Sequence, residues 1–430
     1  MKKIKSLKEG LYFVHDHYED FEMAEDGKKN PIEHMILLRE ALVNEYADLI
    51  LRRYESVDAR LAEIGSLEAS HVYDVDAFDV SNKDAGEYVD AREFRGIFPE
   101  GVYVYYNGNQ FSAPQGNEVV DGNANEIDRV KDNLPTELGP GSSPGEDGSS
   151  ISDVHSFHVN VGHGNCSIIV FNNGGRMEAW MVDCSVREIN RQRIYALNLS
   201  QCLADLKKEF GITEISKVLV THLHYDHVNG IKYLIDNGYV NSDTEVWMNL
   251  KYPCTMATYR VILQELMRRG VKFVDPIIGN STSEINILYP AQSFDSKHPA
   301  PNKKINNSSV LYQICLNGKK MLFTGDIETA GWDQVNKCAC YLNGTNYYCI
   351  SHHGSITGHD RTKCYAGNPN MKSVKDCASR SVCQILMGRN GAYKGIFSGK
   401  VLSDFPNALI TQNAPNYIRI DWDNDKTSFL

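Results

Sequence analysis

Downstream of residue 150, short apolar runs alternate with stretches in which apolar residues recur at helical spacing. The segments SFHVNVGHGNCSIIVF and MEAWMVDCS predict two neighbouring strands joined by the turn NNGG. Residues 198–210 predict a helix that Gly211 ends. Its apolar positions, at intervals typical of one helix face, are Leu199, Cys202, Leu203, Leu206 and Phe210.

The same alternation continues to the C-terminus. SKVLVTH predicts a buried strand, and helices are expected at about residues 229–237 and from Tyr259 to Met267, the second ended by Gly270. A hairpin with an Asn317-Gly318 turn is predicted within SVLYQICLNGKKMLFTGD, and TNYYCISHHG, SVCQILMG and YIRIDW each predict a strand. Strands and helices that alternate in this way predict a layered α/β domain.

The first part of the chain has a different pattern. Asn30-Pro31 is typical of a helix cap followed by proline at the first helical position, which predicts a helix to about Ile64. GVYVYYNGNQFSAP, residues 101–114, predicts two strands around an Asn-Gly turn. We interpret residues 1–136 as a smaller α+β module that serves docking or dimerisation or, alternatively, substrate specificity.

A Gly/Ser/Pro-rich stretch separates the two parts. ELGPGSSPGEDGSS, residues 137–150, is nearly devoid of apolar side chains and predicts a flexible linker. We therefore expect a linker at residues 137–152 and a catalytic domain at residues 153–430.

Charge is divided unevenly between these parts. Residues 1–150 contain 15 Lys and Arg against 31 Asp and Glu, a net charge of −16, whereas residues 151–430 contain 29 against 24, a net charge of +5. A positively charged second part favours encounter with an anionic substrate.

Cysteine usage and the N-terminus bear on the compartment. All 11 cysteines lie after residue 160, and the apolar stretch near the N-terminus is cut short by His15 and Asp16, unlike that of a signal peptide. No run of about 18 apolar residues occurs. We expect a cytoplasmic protein with reduced thiols and no membrane contact.

Metal-ligand side chains directly follow several predicted strands. They are His222, His224, Asp226 and His227 after KVLV, Asp326 after MLFTG, His352 and His353 after YYCIS, and Asp183 at the end of AWMV. Because loops that leave one sheet edge converge, these residues are expected to form one site. Imidazole and carboxylate groups suit zinc, manganese or iron. An HxHxDH loop can serve two ions that share a bridging carboxylate, so two divalent ions, zinc or manganese, are expected as cofactors.

These motifs resemble the metallo-β-lactamase superfamily over residues 155–425. The expected fold class is therefore α/β: a metallo-β-lactamase-like αβ/βα sandwich with a smaller N-terminal α+β module. His222-x-His224-x-Asp226-His227 matches the signature loop of the superfamily, Asp183 the aspartate that closes its first motif and supports that loop, and Asp326 its bridging carboxylate.

Within the superfamily, VNVGHGNCSIIV, NNSSVLYQI, MLFTGDIE and ISHHGSITG resemble the hydrolase domain of the DNA-uptake channel protein of bacterial competence. That branch also resembles a bacterial phosphorylcholine esterase domain. The resemblance implies a first metal on His222 and His224, a second on Asp226, His227 and one histidine of His352-His353, and Asp326 between them. We favour His352, which is nearer the strand end, with His353 supporting it or contacting substrate.

Two departures from the family pattern affect the site. Most members have another histidine between the signature loop and the bridging aspartate, where this chain has only His298, in a loop without a preceding strand. Either the first metal is weakly held or Asn307, of the pair Asn306-Asn307, takes the place of the ligand. The usual VGQGD reads VGHGN here, so His163 is a substrate contact, a proton donor or a surface histidine in a glycine turn.

The resemblance and the charge favour a phosphodiesterase or nuclease that acts on an anionic phosphate ester, including nucleic acid. Asp226 would orient the attacking hydroxide, and His163 or His353 would protonate the leaving group. Arg361, Arg389, Lys394 and Lys400 are candidate contacts for phosphate oxygens.

Other functions remain open. They are hydrolysis of a small carboxylic ester, thioester or amide, a di-iron redox centre, and a non-catalytic metal-binding role in a multi-protein system. His224 argues against the redox centre, because such members generally carry glutamate at that position. The acidic N-terminal module is expected to bind a protein partner or to self-associate.

Overall fold

The computed structural model of the chain describes residues 10–23, 29–39, 72–75, 87–90, 102–107, 117–118, 129–134, 138, 141–143, 150–186, 194–254, 257–338, 344–359, 374–378, 380–381, 383–390 and 395–430, with backbone alone before residue 129. Among these residues, no helix combines the length and the apolar character needed to cross a bilayer.

The first part of the chain contains a six-stranded antiparallel sheet in the order β4-β5-β2-β1-β3-β6. Its strands are β1 (Gly10–Met23), β2 (Lys29–Arg39), β3 (Val72–Val75), β4 (Glu87–Asp90), β5 (Val102–Asn107) and β6 (Asn117–Glu118). The helix predicted from Asn30 is therefore wrong as far as residue 39, because Lys29–Arg39 form β2, and residues 40–64 of it lie outside the described residues. The apolar run Met35–Leu38 suits a buried strand as well as a helix, and its pairing with two neighbouring strands decides between them.

Two mixed sheets make up the second part. One has eight strands in the order β12-β11-β10-β9-β8-β7-β19-β20, and the other has six in the order β13-β14-β15-β16-β17-β18. The strands are β7 (Ile151–Val159), β8 (Cys166–Asn173), β9 (Arg176–Cys184), β10 (Lys217–Leu219), β11 (Glu245–Trp247), β12 (Lys272–Val274), β13 (Ile285–Tyr289), β14 (Leu311–Leu316), β15 (Lys319–Phe323), β16 (Tyr347–Cys349), β17 (Cys383–Leu386), β18 (Leu409–Ile410), β19 (Tyr417–Asp421) and β20 (Lys426–Phe429).

Helices connect the parallel strands of both sheets. They are α1 (Ile194–Phe210), α2 (Tyr225–Val228), α3 (Ile231–Asp236), α4 (Ala257–Arg269), α5 (Thr329–Cys338), α6 (Val374–Ala378) and α7 (Gly399–Asp404). Strands β9 to β12 run parallel, as do β15 to β18, so the carboxyl ends within each set point to one edge. The predicted helix ends hold, since Gly211 and Gly270 follow α1 and α4 with φ of +72° and +71°.

The strands have nearly continuous apolar sequences because both of their faces contribute to the core. Successive side chains of a strand face opposite sides. In β8, Ile168 and Val170 pack in a cluster with α1, whereas Ile169 and Phe171 pack in a second cluster with residues of the other sheet, including Tyr312. Both faces of the strand are thus buried, and the two sheets form the sandwich that the sequence predicted.

Described residues of the segment before residue 150 contact the second part of the chain. Val130, Leu134 and Leu138 pack against the core, and Lys131 Nζ donates a hydrogen bond to the carbonyl of Tyr252 over 2.9 Å. In the residues described, this segment therefore packs against the second part of the chain.

Small residues in the same segment permit close contact with the sheet. A Cβ at Gly141 would lie 1.9 Å from the Trp247 ring, so only glycine fits there. The Ser142 amide donates to the carboxylate of Glu245, which also pairs with buried Lys217 over 2.6 Å. Gly141 and Ser142 thus lie in close contact with β11.

Candidate metal centre

The predicted ligands converge at the edge where the parallel strands of both sheets end. Asp183 lies at the end of β9, and the loop from His222 to His227 follows β10 and continues into α2. In the other sheet, Asp326 follows β15 and the pair His352-His353 follows β16. The convergence expected from strand ends is thus present.

Four residues form a compact group at this edge: Asp226, His227, Asp326 and His353. His353 Nε2 lies 3.2 Å from Asp226 Oδ2 and 3.4 Å from Asp326 Oδ2. His227 Nε2 lies 3.4 Å from Asp326 Oδ1. All four side chains are buried, so the group lies in the protein interior and is not a patch of surface charge.

A second group adjoins the first and shares one member with it. It consists of His222, His224 and Asp326. His222 Nε2 and His224 Nδ1 are 3.0 Å apart, and the His222 ring lies 4.1 Å from the His227 ring between centroids. Asp326 therefore belongs to both groups of candidate ligand atoms.

The residues fit a bound ion. Ligands of a tetrahedral zinc ion at about 2.0–2.1 Å are separated from one another by roughly 3.3 Å, and separations of 3.0–3.4 Å recur in both groups. His227 Nε2 and Asp326 Oδ1 are buried and lack a well-formed hydrogen bond within the described part of the chain. Buried polar atoms left in this way are costly unless a cation satisfies them.

Two histidine rings are oriented by hydrogen bonds that their Nδ1 atoms make on the side away from the carboxylates. His227 Nδ1 donates to Asp183 Oδ2 over 2.8 Å, and His353 Nδ1 donates to the Met387 carbonyl over 3.1 Å. Each ring therefore directs Nε2 at the carboxylates. Asp183 also accepts the amide and the hydroxyl of Thr221, which anchors the start of the signature loop.

The electrostatics of the site suit a cation. Burial lowers the pKa of His224 to about 3 and the pKa of His222 well below its usual value, so both rings are neutral and present lone pairs. Burial also disfavours a charged His353, but Asp326 and Asp226 outweigh it and raise the pKa of His353 to about 10. Two buried carboxylates that hold a proton this tightly also attract a metal ion.

His163 is part of the same cluster rather than a surface residue. Its Nε2 lies 3.2 Å from Asp226 Oδ2, and its ring lies 4.2 Å from the His353 ring between centroids. The turn that carries it is pressed against the signature loop, because Gly164 has a φ of +123° and a Cβ there would lie 2.6 Å from the Asp226 carbonyl. The glycines of VGHGN thus allow the imidazole to enter the site.

The histidine pair is arranged differently from our expectation. His353, and not the favoured His352, lies in the group with Asp226 and Asp326. Both residues have φ near +50°, which turns the two rings to different sides, with 6.4 Å between centroids. Nearness to the strand end is therefore a poor guide here, because the left-handed backbone carries the second imidazole into the group.

Asn307 also has a different place from the one expected. Its Oδ1 accepts the amides of Glu328 and Gly331 at the start of α5, and its Nδ2 donates to the Pro301 carbonyl. The side chain is thus occupied as a helix cap and does not replace a metal ligand. His298 lies on the surface beside Asp295, with 57 % of its side chain exposed.

The predicted phosphate contacts divide into described and undescribed residues. Arg389 is exposed and directly follows Gly388, where a Cβ would lie 3.0 Å from Nδ1 of His353. Lys400 is exposed on α7. Arg361 and Lys394 lie outside the described residues. Arg389 is thus one residue from a position that packs against His353.

Sequence reasoning missed several groups that shape the site. Glu328 and Thr357 lie near His352, and the Met387 carbonyl orients His353. A sequence signal existed only for Glu328, which follows Asp326 by two residues in FTGDIE. The carbonyl contact is a matter of sheet register and has no side-chain signature.

Residues 159–245 match the model of the metallo-beta-lactamase superfamily. The matched stretch holds Asp183 and the signature loop and ends before Asp326. Members of this superfamily are mostly metal-dependent hydrolases. No curated protein matches the chain. The match and the two mixed sheets together confirm the predicted fold class, a metallo-β-lactamase-like α/β architecture.

Proposed function

We propose that this protein is a metal-dependent phosphodiesterase or nuclease that uses two divalent ions, zinc or manganese. The observation that carries the proposal is the position of Asp326 between the group of Asp226, His227 and His353 and the group of His222 and His224. Such a pair of sites is the arrangement that two-metal hydrolases use. Asp226, His227 and His353 would hold one ion, His222 and His224 the other, and Asp326 both.

When bound, two such ions supply a nucleophilic hydroxide near neutral pH and offset the charge of the reacting phosphoryl group. The residues of this chain position the reactants. Asp226 Oδ2 lies within 3.2 Å of both His163 Nε2 and His353 Nε2, and this carboxylate can accept a hydrogen bond that orients the attacking oxygen. His163 contacts the same Asp226 carboxylate and can donate a hydrogen bond to a substrate oxygen. The buried walls exclude bulk water, which strengthens these interactions.

Charge and motif resemblance support a phosphate ester as substrate. The catalytic part carries a net charge of +5, and exposed Arg389 lies next to the wall of the site that contacts His353. A guanidinium group binds phosphate oxygens in a two-point geometry. The motifs that resemble the hydrolase domain of the competence DNA-uptake channel extend this proposal to nucleic acid as one substrate class.

The test is hydrolysis of bis-p-nitrophenyl phosphate by the purified protein with zinc or manganese added. We expect metal-dependent turnover that Asp226→Ala reduces by at least about 1000-fold while the protein stays folded. Asp243→Ala, at an exposed aspartate, is the matched control. An Asp226→Ala protein that retains turnover would refute the mechanism.

The same assay with p-nitrophenyl acetate separates the rival functions. Metal-dependent cleavage of the acetate without cleavage of the diester would identify a carboxylic ester hydrolase. Two bound ions with turnover of neither substrate would favour a metal-binding component of a larger system.

A further inference from the structure

A hydrogen-bonded network of five side chains crosses the interior between the two sheets. Trp422 Nε1 lies 3.1 Å from Ser156 Oγ, which lies 3.2 Å from His158 Nε2. His158 Nδ1 lies 2.9 Å from Ser167 Oγ, which lies 3.3 Å from Met387 Sδ. All five side chains are buried, four of them completely. Because buried polar groups are costly unless each has a partner, every bond of this inter-sheet network matters.

The strands explain why these residues meet. Ser156 and His158 alternate along β7 and therefore share one face of the sheet. Ser167 lies directly opposite His158 on β8, which places the two side chains next to each other. Trp422 follows β19 of the same sheet, whereas Met387 follows β17 of the other sheet. The inter-sheet network thus ties the two sheets together.

The two ends of the network fix the direction of its hydrogen bonds. An indole N–H can only donate, and a thioether sulfur can only accept. Ser167 must therefore donate its proton to Met387, so its oxygen accepts the proton on Nδ1 of His158. At the other end, Ser156 accepts from Trp422 and donates its own proton to Nε2 of His158. His158 is therefore a neutral ring with its proton on Nδ1.

The Met387 end of the network reaches the candidate metal centre. The Met387 carbonyl accepts a hydrogen bond of 3.1 Å from Nδ1 of His353, whose Nε2 lies 3.2 Å from Asp226 Oδ2. The next residue is Gly388, where a Cβ would lie 3.0 Å from Nδ1 of His353, so the backbone presses on the ring. The position of Met387 therefore sets the direction in which His353 presents Nε2. His353 forms the four-residue group together with Asp226, His227 and Asp326.

We propose that Ser167 is a positioning residue for His353, with its hydroxyl directed at Met387 by His158. A methionine side chain turns about three bonds and adapts readily to its surroundings. A buried hydroxyl that donates to the sulfur selects one conformer of Met387 and so holds the carbonyl that orients the His353 ring. This inference rests on the proposed metal centre and adds the group that keeps one of its ligands in place.

The direction of the hydrogen bonds is tested first, by nitrogen NMR of the metal-free full-length protein labelled at histidine. The spectrum reports which nitrogen of each ring carries the proton. We expect the His158 ring, identified by its absence from His158→Gln, to carry its proton on Nδ1. A proton on Nε2 instead would overturn the inference, because Ser167 would then donate to the ring and not to Met387.

The effect on the metal centre is tested by calorimetric titration of the metal-free full-length protein with zinc. His353→Gln identifies the binding event of the four-residue group. Ser167→Ala and Met387→Leu each remove the contact between hydroxyl and sulfur and keep every ligand. Each should weaken that event by at least about 3-fold and leave the other within about 2-fold. The double variant should lose no more than the weaker of the two single variants, because both changes remove one contact.

Ser381→Ala is the matched control, since Ser381 is a buried serine that precedes β17, at the opposite end of the strand from Met387. It should bind zinc like the wild type. Wild-type affinities in Ser167→Ala and Met387→Leu, or additive losses in the double variant, would overturn the inference alone. Equal weakening of both events would also overturn it, because a general loss of structure does not single out one ion. A wild-type protein that binds no ion would overturn both the inference and the proposed metal centre.

Discussion

His227 Nδ1 donates a hydrogen bond of 2.8 Å to Asp183 Oδ2, and both side chains are almost completely buried. The bond joins the end of β9 to the signature loop after β10. It fixes the direction of the His227 ring, and through the contacts of Asp183 with Thr221 it also fixes where the loop begins. The orientation of the His227 ring and the start of the loop are therefore fixed by Asp183, which belongs to neither ligand group.

Asp183→Asn should weaken metal binding without removing a ligand. The amide keeps the shape of the carboxylate but loses its charge, so it holds the His227 ring less firmly and makes the ring less basic. We expect zinc affinity to fall by about 10- to 100-fold, measured by competition with a chromophoric chelator. Asp243→Asn is the matched surface control. Equal affinities in the two variants would contradict this role for Asp183.

Arg389→Ala should affect binding of the substrate more than its conversion. An exposed guanidinium at the rim contributes a charge-assisted hydrogen bond to a phosphate oxygen, worth about 1.5–3 kcal/mol. We expect KM for an anionic diester to rise by roughly 10-fold or more, with kcat within about 3-fold. Arg268→Ala, on the exposed face of α4, should leave both unchanged. An unchanged KM in Arg389→Ala would remove this residue from the site.

His158 should make the fold sensitive to acid independently of the metal centre. It lies fully buried between Ser156 and Ser167, and burial lowers the pKa of His158 to about 3. The unfolded chain binds a proton at this residue below about pH 6.5 and the folded chain does not. The free energy of unfolding should therefore fall as pH drops below 6.5, by up to about 1.4 kcal/mol per pH unit.

The measurement is urea unfolding at pH 7 and pH 5 for the wild type and for His158→Gln. We expect the variant to lose roughly 2 kcal/mol less between the two pH values, because one titrating group is gone. All other groups titrate alike in both proteins. An identical loss in both would show that His158 is not held neutral.

The docked segment before residue 150 should contribute to stability. Val130, Leu134 and Leu138 are partly buried against the core, and Gly141 lies against the Trp247 ring. We expect a chain of residues 144–430 to be less stable than one of residues 129–430 by at least about 2 kcal/mol, which corresponds to a Tm lower by at least about 3 °C. Calorimetric melting of both proteins tests this. Equal Tm values would show that the segment does not stabilise the fold and acts as a free linker.

The elements after residue 150 were predictable because their patterns are local. The β14–β15 hairpin follows from Asn317-Gly318, whose φ values of +46° and +75° are those that the turn requires. The placement of ligands at strand ends likewise follows from one short motif after each strand. Periodicity and turn residues thus predicted the layered α/β domain, and the motifs after the strands predicted that the ligands converge.

The remaining features depend on contacts between distant parts of the chain. Which of His352 and His353 enters the cluster is decided by a left-handed backbone, and Asn307 is withdrawn to cap α5. Gly141 looked flexible and instead packs on Trp247. In each case the local sequence allows two outcomes, and the tertiary environment selects one.

We propose that one buried carboxylate, Asp326, serves two ions. The direct test is elemental analysis of zinc-loaded protein after dialysis, for the wild type and Asp326→Asn, with Asp243→Asn as control. We expect about two ions per chain in the wild type and the control, and loss of both in Asp326→Asn. An Asp326→Asn protein that is folded and retains two ions, or a wild type that retains none, would contradict the claim.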